Sequence, residues 1–139
     1  MAIQHKHVIV RAEVKKPFVE GDANKLKKWL KDLVNKIDMK ILSGPHVAYA
    51  NTKGNEGFTG CCLIETSHIS IHIWHLYEPP LIQLDVYTCS HLDLDKVFEH
   101  MQVLEPTKLE YKYLDREKEL TFLKPKNKSF KNWMKKKSL

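Results

Sequence analysis

The stretch Ser67-His68-Ile69-Ser70-Ile71-His72-Ile73-Trp74, followed after Pro79-Pro80 by Leu81-Ile82-Gln83-Leu84-Asp85-Val86-Tyr87, decides the fold. His68, Ser70, His72 and Trp74 alternate with Ile69, Ile71 and Ile73, and Gln83, Asp85 and Tyr87 alternate with Ile82, Leu84 and Val86. A period of two puts one set of side chains on each face of a strand, so both segments read as half-buried strands. Working outward, Val8, Val10, Ala12 and Val14 alternate with His7, Ile9, Arg11 and Glu13, which predicts another. Gly60–Thr66 is β-prone and almost uncharged, as a buried strand would be. Residues 108–113 predict a last strand with Leu109, Tyr111 and Tyr113 inward. A short strand is expected at Lys40–Leu42 or at Val47–Asn51, with a turn at Ser43-Gly44-Pro45. Residues 51–57 form a polar, glycine-containing loop.

Two helices complete the pattern. Leu26, Trp29, Leu30, Leu33, Val34 and Ile37 recur at spacings of three and four, with Asp22 or Asn24 as N-cap. Asp93 can cap a second helix carrying Leu94, Val97, Phe98 and Met101. The order is β-α-β-β-β-β-α-β, and the short links between strands make the sheet mainly antiparallel. Each helix has one apolar stripe, so both cover one sheet face. The expected class is α+β, a two-layer α/β sandwich. The other face carries His68, Ser70, His72, Gln83, Asp85 and Cys89, and is either wet or a site between subunits.

Composition sets limits on function. With 139 residues, 42% hydrophobic and 29% charged, the chain supports one core. No apolar run approaches the ~18 residues that span a bilayer. The opening MAIQHKHVIV lacks the pattern of a secretory signal, so a cytoplasmic protein without membrane association is expected. Three cysteines suit a reducing compartment: Cys61 and Cys62 read as core thiols and Cys89 as a candidate chemical thiol. The net charge of +6 is a matter of location, because residues 124–139 hold seven lysines and no acid. Residues 1–123 keep 16 basic and 17 acidic side chains, so the fold itself gives no sign of a nucleic-acid partner. The expected organisation is a domain at 1–123 followed by a solvated basic tail at 124–139, which includes Phe130 and Trp133. No metal is expected: His68 and His72 share a strand face but stand ~13 Å apart, too far to share an ion, and no Cys/His spacing resembles a zinc site.

The run Ser67-His68-Ile69-Ser70-Ile71-His72, with Trp74 after it, closely resembles the self-processing site of prokaryotic S-adenosylmethionine decarboxylase proenzymes. Gly57-Phe58-Thr59-Gly60, Asp85-Val86-Tyr87-Thr88-Cys89 and the order of elements agree, over roughly residues 5–115. The resemblance implies a pyruvoyl cofactor made from the chain's own Ser67. Its hydroxyl attacks the carbonyl of Thr66 to give an ester; elimination and hydrolysis then separate 1–66 from 67–139. Thr59 matches the hydroxyl donor to the oxyanion. His72 matches the base that removes the serine α-proton, a role suited to a group titrating near neutrality. In the finished enzyme the pyruvoyl carbonyl forms a Schiff base with the substrate amine and acts as electron sink, and Cys89 matches the acid that reprotonates carbon.

The resemblance also implies S-adenosylmethionine as substrate, an aminopropyl donor for spermidine as product, and a homodimer of processed protomers. Trp74 and Phe58 fall at substrate-binding positions. The chain departs from the family in two places. Thr66 stands where a glutamate usually precedes the serine, and His75-Leu76 replaces Pro-Glu after the tryptophan. Glu78 is then the candidate to meet the ribose hydroxyls from a shifted loop. A decarboxylase of ornithine or arginine on the same machinery is the alternative enzyme. An unprocessed, non-catalytic homologue is the alternative outside enzymology.

Overall fold

The computed structural model describes residues 4–123. The elements are β1 (Lys6–Val14), α1 (Ala23–Lys36), β2 (Ile41–Ala50), β3 (Gly57–Ile64), β4 (Ser67–Trp74), β5 (Leu81–Thr88), α2 (Leu94–His100), a 3-10 turn at Met101–Leu104, β6 (Pro106–Asp115) and β7 (Thr121–Leu123). All seven strands join one sheet in the order β2-β3-β4-β5-β1-β6-β7, and every pairing is antiparallel. The basic tail at 124–139, with Phe130 and Trp133, lies outside the described residues.

Alternation sorts the sheet into two faces. Val8, Val10 and Ala12 of β1, Ile69, Ile71 and Ile73 of β4, and Ile82, Leu84 and Val86 of β5 are buried together with Leu26, Leu30, Leu33 and Val34 of α1. Each fully buried valine, leucine or isoleucine side chain among these contributes about 1.5–3 kcal/mol of transfer free energy. Both helices therefore lie on one side, and the α+β two-layer sandwich stands as expected from the sequence. Among the described residues no helix is long and apolar enough to cross a membrane.

Four local expectations need correction. The strand expected at either 40–42 or 47–51 is a single strand, because β2 runs through Gly44-Pro45 with register shifts that absorb the interruption. The strand expected at 60–66 begins at Gly57 and ends at Ile64, leaving Glu65 and Thr66 as a two-residue turn. Asp22 sits at the N-cap of α1 but makes no side-chain cap, since its Oδ2 accepts the Val19 N–H at 2.9 Å instead. Cys61 is not a core thiol: it alternates with buried Cys62 and lies half-buried on the helix-free face. Cys62, under the helices, has its thiol pushed up to about 11, chiefly by burial. The three-residue β7 had no periodic signal to betray it.

The two helices are stapled by a reciprocal pair. The Trp29 indole N–H donates to the His100 carbonyl at 3.2 Å, and His100 Nε2–H donates to the Trp29 carbonyl at 2.8 Å. The rings are 4.7 Å apart. Burial holds His100 below the ordinary imidazole range, and Lys36 and Lys28 add to the shift against the favourable pull of the Trp29 carbonyl and Asp32. The unfolded chain therefore takes up this proton first as pH falls. The stability linked to it is complete above about 6.5 and declines below that. Urea unfolding should show a midpoint that drops between pH 7 and pH 5.5, and His100→Gln should flatten that drop. An unchanged slope in the variant would contradict the assignment.

Candidate active site

The candidate residues fall into two groups on β3, β4 and β5. The first surrounds the Thr66–Ser67 peptide. Ile64 pairs with Ser67 across the β3–β4 turn, and Ser67 pairs with Thr88 on β5. The turn is held at three points. The Glu65 N–H donates to the Lys40 carbonyl at 2.9 Å, the Cys89 N–H donates to the Thr66 carbonyl at 2.7 Å, and the Thr66 hydroxyl reaches the Met39 sulfur at 3.0 Å. Ser67 is confined to φ 146°, a region that residues with a β-carbon rarely adopt. Such conformations cost of order 1–3 kcal/mol and persist only where the surroundings enforce them. The peptide bond that the sequence singles out is thus strained on one side and polarised on the other.

Thr59 and His72 form the second group. They face each other across β3 and β4 on the helix-free face, with Thr59 Oγ1 3.2 Å from His72 Nδ1. Ser67 and His72 are five strand residues apart, a separation of about 16 Å. One protomer therefore unites Ser67, Thr66 and Cys89, and separately unites Thr59 and His72. It does not bring the two groups together.

Of the remaining candidates only Trp74 stands beside the second group, while Phe58 lies on the opposite, helix-covered face of the sheet. Trp74 shares the face of His72, its ring 6.1 Å from the imidazole, and its indole N–H donates to Asn55 Oδ1 at 2.8 Å. Glu78 is exposed in the loop that follows β4. Phe58 is 2% exposed and packs under the helices against Tyr49. Tyr49 in turn holds His75 through its hydroxyl at 2.7 Å.

Between the two groups runs a polar network of which the sequence placed only His68 and Asp85 on the open face. Arg116 donates to His7 Nδ1 at 3.3 Å and lies over the Tyr87 ring at 4.0 Å. Since Arg116 has only donors, His7 Nδ1 accepts, and its Nε2–H bonds Asp85. His68 Nε2 lies 3.8 Å from the other Asp85 oxygen. Burial works to raise the Asp85 carboxyl, but the His7 hydrogen bond and the pull of His7 and His68 outweigh it and hold the group below the usual carboxylate range. The Cys89 amide, Met39 and Asn55 were also missed. The first is a backbone group with no side-chain signal, and the other two gain their roles from partners remote in sequence. No three His, Cys, Asp or Glu side chains among the described residues are placed to hold a metal ion.

Residues 6–117 match the S-adenosylmethionine decarboxylase family. The chain is 30% identical over 109 residues to the S-adenosylmethionine decarboxylase proenzyme of Pyrococcus horikoshii, covering 78% of this chain and 73% of that one. It is 29% identical over 109 residues to the proenzyme of the same name from Pyrococcus abyssi, with the same coverage. The crystal structure of the adenosylmethionine decarboxylase from Aquifex aeolicus shares the fold, with a TM-score of 0.58 at 20% identity over 93% of this chain and 100% of that one.

One packing constraint fixes how β3 meets β4. A β-carbon at Gly57, where φ is 155°, would lie 1.7 Å from the Ile73 carbonyl oxygen. Gly54, at φ 86°, has nothing within 4 Å of that position. Gly57→Ala should therefore cost more than about 2 kcal/mol, because backbone must move. Gly54→Ala should cost about 1 kcal/mol, from backbone conformation alone. Urea unfolding of the two variants checks the ordering.

Proposed function

The chain belongs to the S-adenosylmethionine decarboxylase family, and from that premise we propose that it cleaves itself between Thr66 and Ser67 and then decarboxylates S-adenosylmethionine through the pyruvoyl group left at residue 67. The observation that carries this reading is the state of one peptide: Ser67 held at φ 146° with the Thr66 carbonyl receiving the Cys89 N–H. The Ser67 hydroxyl adds to that carbonyl, and the amide of Cys89 stabilises the charge developing on its oxygen. Removing a donor of this type typically costs ~100-fold or more in rate. Collapse with release of the Ser67 nitrogen leaves an ester. A base takes the α-proton of residue 67, and the Thr66 carboxylate departs with the ester oxygen. The dehydroalanine formed rearranges to an imine, and one water converts it to the ketone with loss of ammonia.

Thr59 and His72 suit the two remaining tasks when Thr59 Oγ1 accepts from His72 Nδ1–H. The threonine hydroxyl hydrogen is then free for the oxyanion, and the His72 Nε2 lone pair is free for the α-proton. The separation of about 16 Å within a protomer means that this pair must serve the Ser67 of a second copy. A homodimer formed through the helix-free face supplies that arrangement. Exposed Ile9 and Leu63 on this face support its covering. A pyruvoyl group at residue 67 would supply a carbonyl to hold the substrate amine and a sink for the electron pair released with carbon dioxide. Cys89, beside it in the fold, returns a proton to carbon. Trp74 and Glu78 approach the substrate, with Phe58 backing them from the core. The product is an aminopropyl donor for spermidine. Residues 1–123 carry these steps, and 124–139 are dispensable for them.

Intact mass should reveal fragments of 66 and 73 residues, the larger one with a ketone that reacts with a hydrazine. Ser67→Ala should remain a single chain of 16.3 kDa. Persistence of the wild-type chain uncut at neutral pH would remove the proposal.

The shared site makes a second, sharper expectation. Ser67→Ala and His72→Ala should each stay uncut when expressed alone. Expressed together they should form mixed dimers in which the His72→Ala chain is cleaved, because its Ser67 meets the intact His72 of the other copy. Failure of the mixture, with dimers present, would mean that the two groups act within one chain.

A further inference from the structure

As the proposed base, His72 has a task that depends on the direction of its ring, yet the ring stands on an exposed sheet face. Thr59 holds only Nδ1. The structure supplies a second restraint. The Trp74 ring lies 6.1 Å from the imidazole, with the planes inclined at 31°, and Tyr77 stacks on Trp74 at 5.9 Å and 25°. The indole is fixed in turn by its N–H, which donates to Asn55 Oδ1 at 2.8 Å.

Asn55 is itself well anchored. Its N–H donates to the Thr52 carbonyl at 2.8 Å, and the neighbouring Gly54 N–H donates to Glu56 Oε1 at 2.7 Å. The loop then re-enters the sheet at Gly57, packed so closely on Ile73 that no β-carbon fits. The loop that brings Asn55 to the indole is thus locked to the strand that carries both Trp74 and His72.

We propose that Asn55 is a positioning residue, acting through Trp74 to set the orientation of the His72 imidazole. This rests on the reading that His72 is the base. The groups that face His72 are Thr59 and Cys61 on β3, Gln83 and Asp85 on β5, and Arg11 one strand beyond. None of these takes the indole N–H, so Asn55 has no substitute for that role among them. A hydrogen bond to a side chain that must stay in one rotamer offsets the freedom it would otherwise keep.

The test follows self-cleavage of the full chain after translation in vitro, across pH, with thermal unfolding measured in parallel. Asn55→Ala should slow cleavage about tenfold at an unchanged melting temperature, since the residue is exposed. Trp74→Phe should slow it to a similar extent, and the double variant should be no slower than either single one. Asn55→Asp keeps the acceptor and adds a negative charge near the ring. It should retain the maximal rate and move the pH midpoint upward, which a purely structural residue would not do. Cleavage of Asn55→Ala at the wild-type rate, or multiplied effects in the double variant, would overturn the proposal. If His72→Ala cleaves normally, the reading of His72 has failed. If His72→Ala stalls while Asn55→Ala is normal, only the role of Asn55 has failed.

Discussion

The period-two alternation of β4 governs the molecule. Ile69, Ile71 and Ile73 commit one face of this strand to the helices, which leaves His68, Ser70, His72 and Trp74 on the bare face. A one-residue slip would reverse both sets, so the register of β4 against β3 and β5 is fixed by the same burial that stabilises the core. That register places Ser67 opposite Thr88, and hence the Thr66 carbonyl under the Cys89 amide. The chemistry of the turn is inherited from the packing of the strand.

The turn itself departs from the usual solution for a two-residue hairpin. Tight hairpin loops favour glycine or asparagine where φ is positive. Here the positive φ falls on Ser67, and the residues before it are Glu65 and Thr66. The sequence thus forgoes a relaxed turn at the one peptide where the family resemblance needs a reactive one. The anchors from Lys40, Cys89 and Met39 are what keep the turn from relaxing. Strain of about 1–3 kcal/mol is small against a barrier to amide attack, so its part is to hold geometry. In the proposed cleavage the larger contribution would come from the Cys89 N–H, which already meets the carbonyl.

Legibility in the sequence tracked the range of the interactions. Val8–Val14, Ile69–Ile73 and Ile82–Val86 declared their faces because alternation is local, and the α1 stripe did so for the same reason. The continuity of β2 through Gly44-Pro45 was not readable, because it depends on ladder bonds to β3 that resume after each irregularity. Cys61 and Cys62 look alike in the chain, and only the register of β3 tells which one is under the helices. The motif located Ser67, Thr59, His72 and Cys89, but not which of them stand together. That grouping follows from strand rise and from the pairing partners of each residue.

The division of the candidate groups gives the bare face its meaning. A sheet face with exposed Ile9 and Leu63 beside an ordered chain of Arg116, His7, Asp85 and His68 is a poor surface to leave in water. The apolar residues gain by being covered, and the network already satisfies most of the polar atoms that covering would desolvate. Under the proposed pairing, the surface that completes the core of the assembly also carries the base to the serine. Folding, assembly and cleavage would then be ordered. On that pairing a lone protomer would hold a strained but idle peptide, and reaction would wait until a second sheet closed over it. Such an arrangement would protect the newly made chain from cutting itself before its strands have found their register.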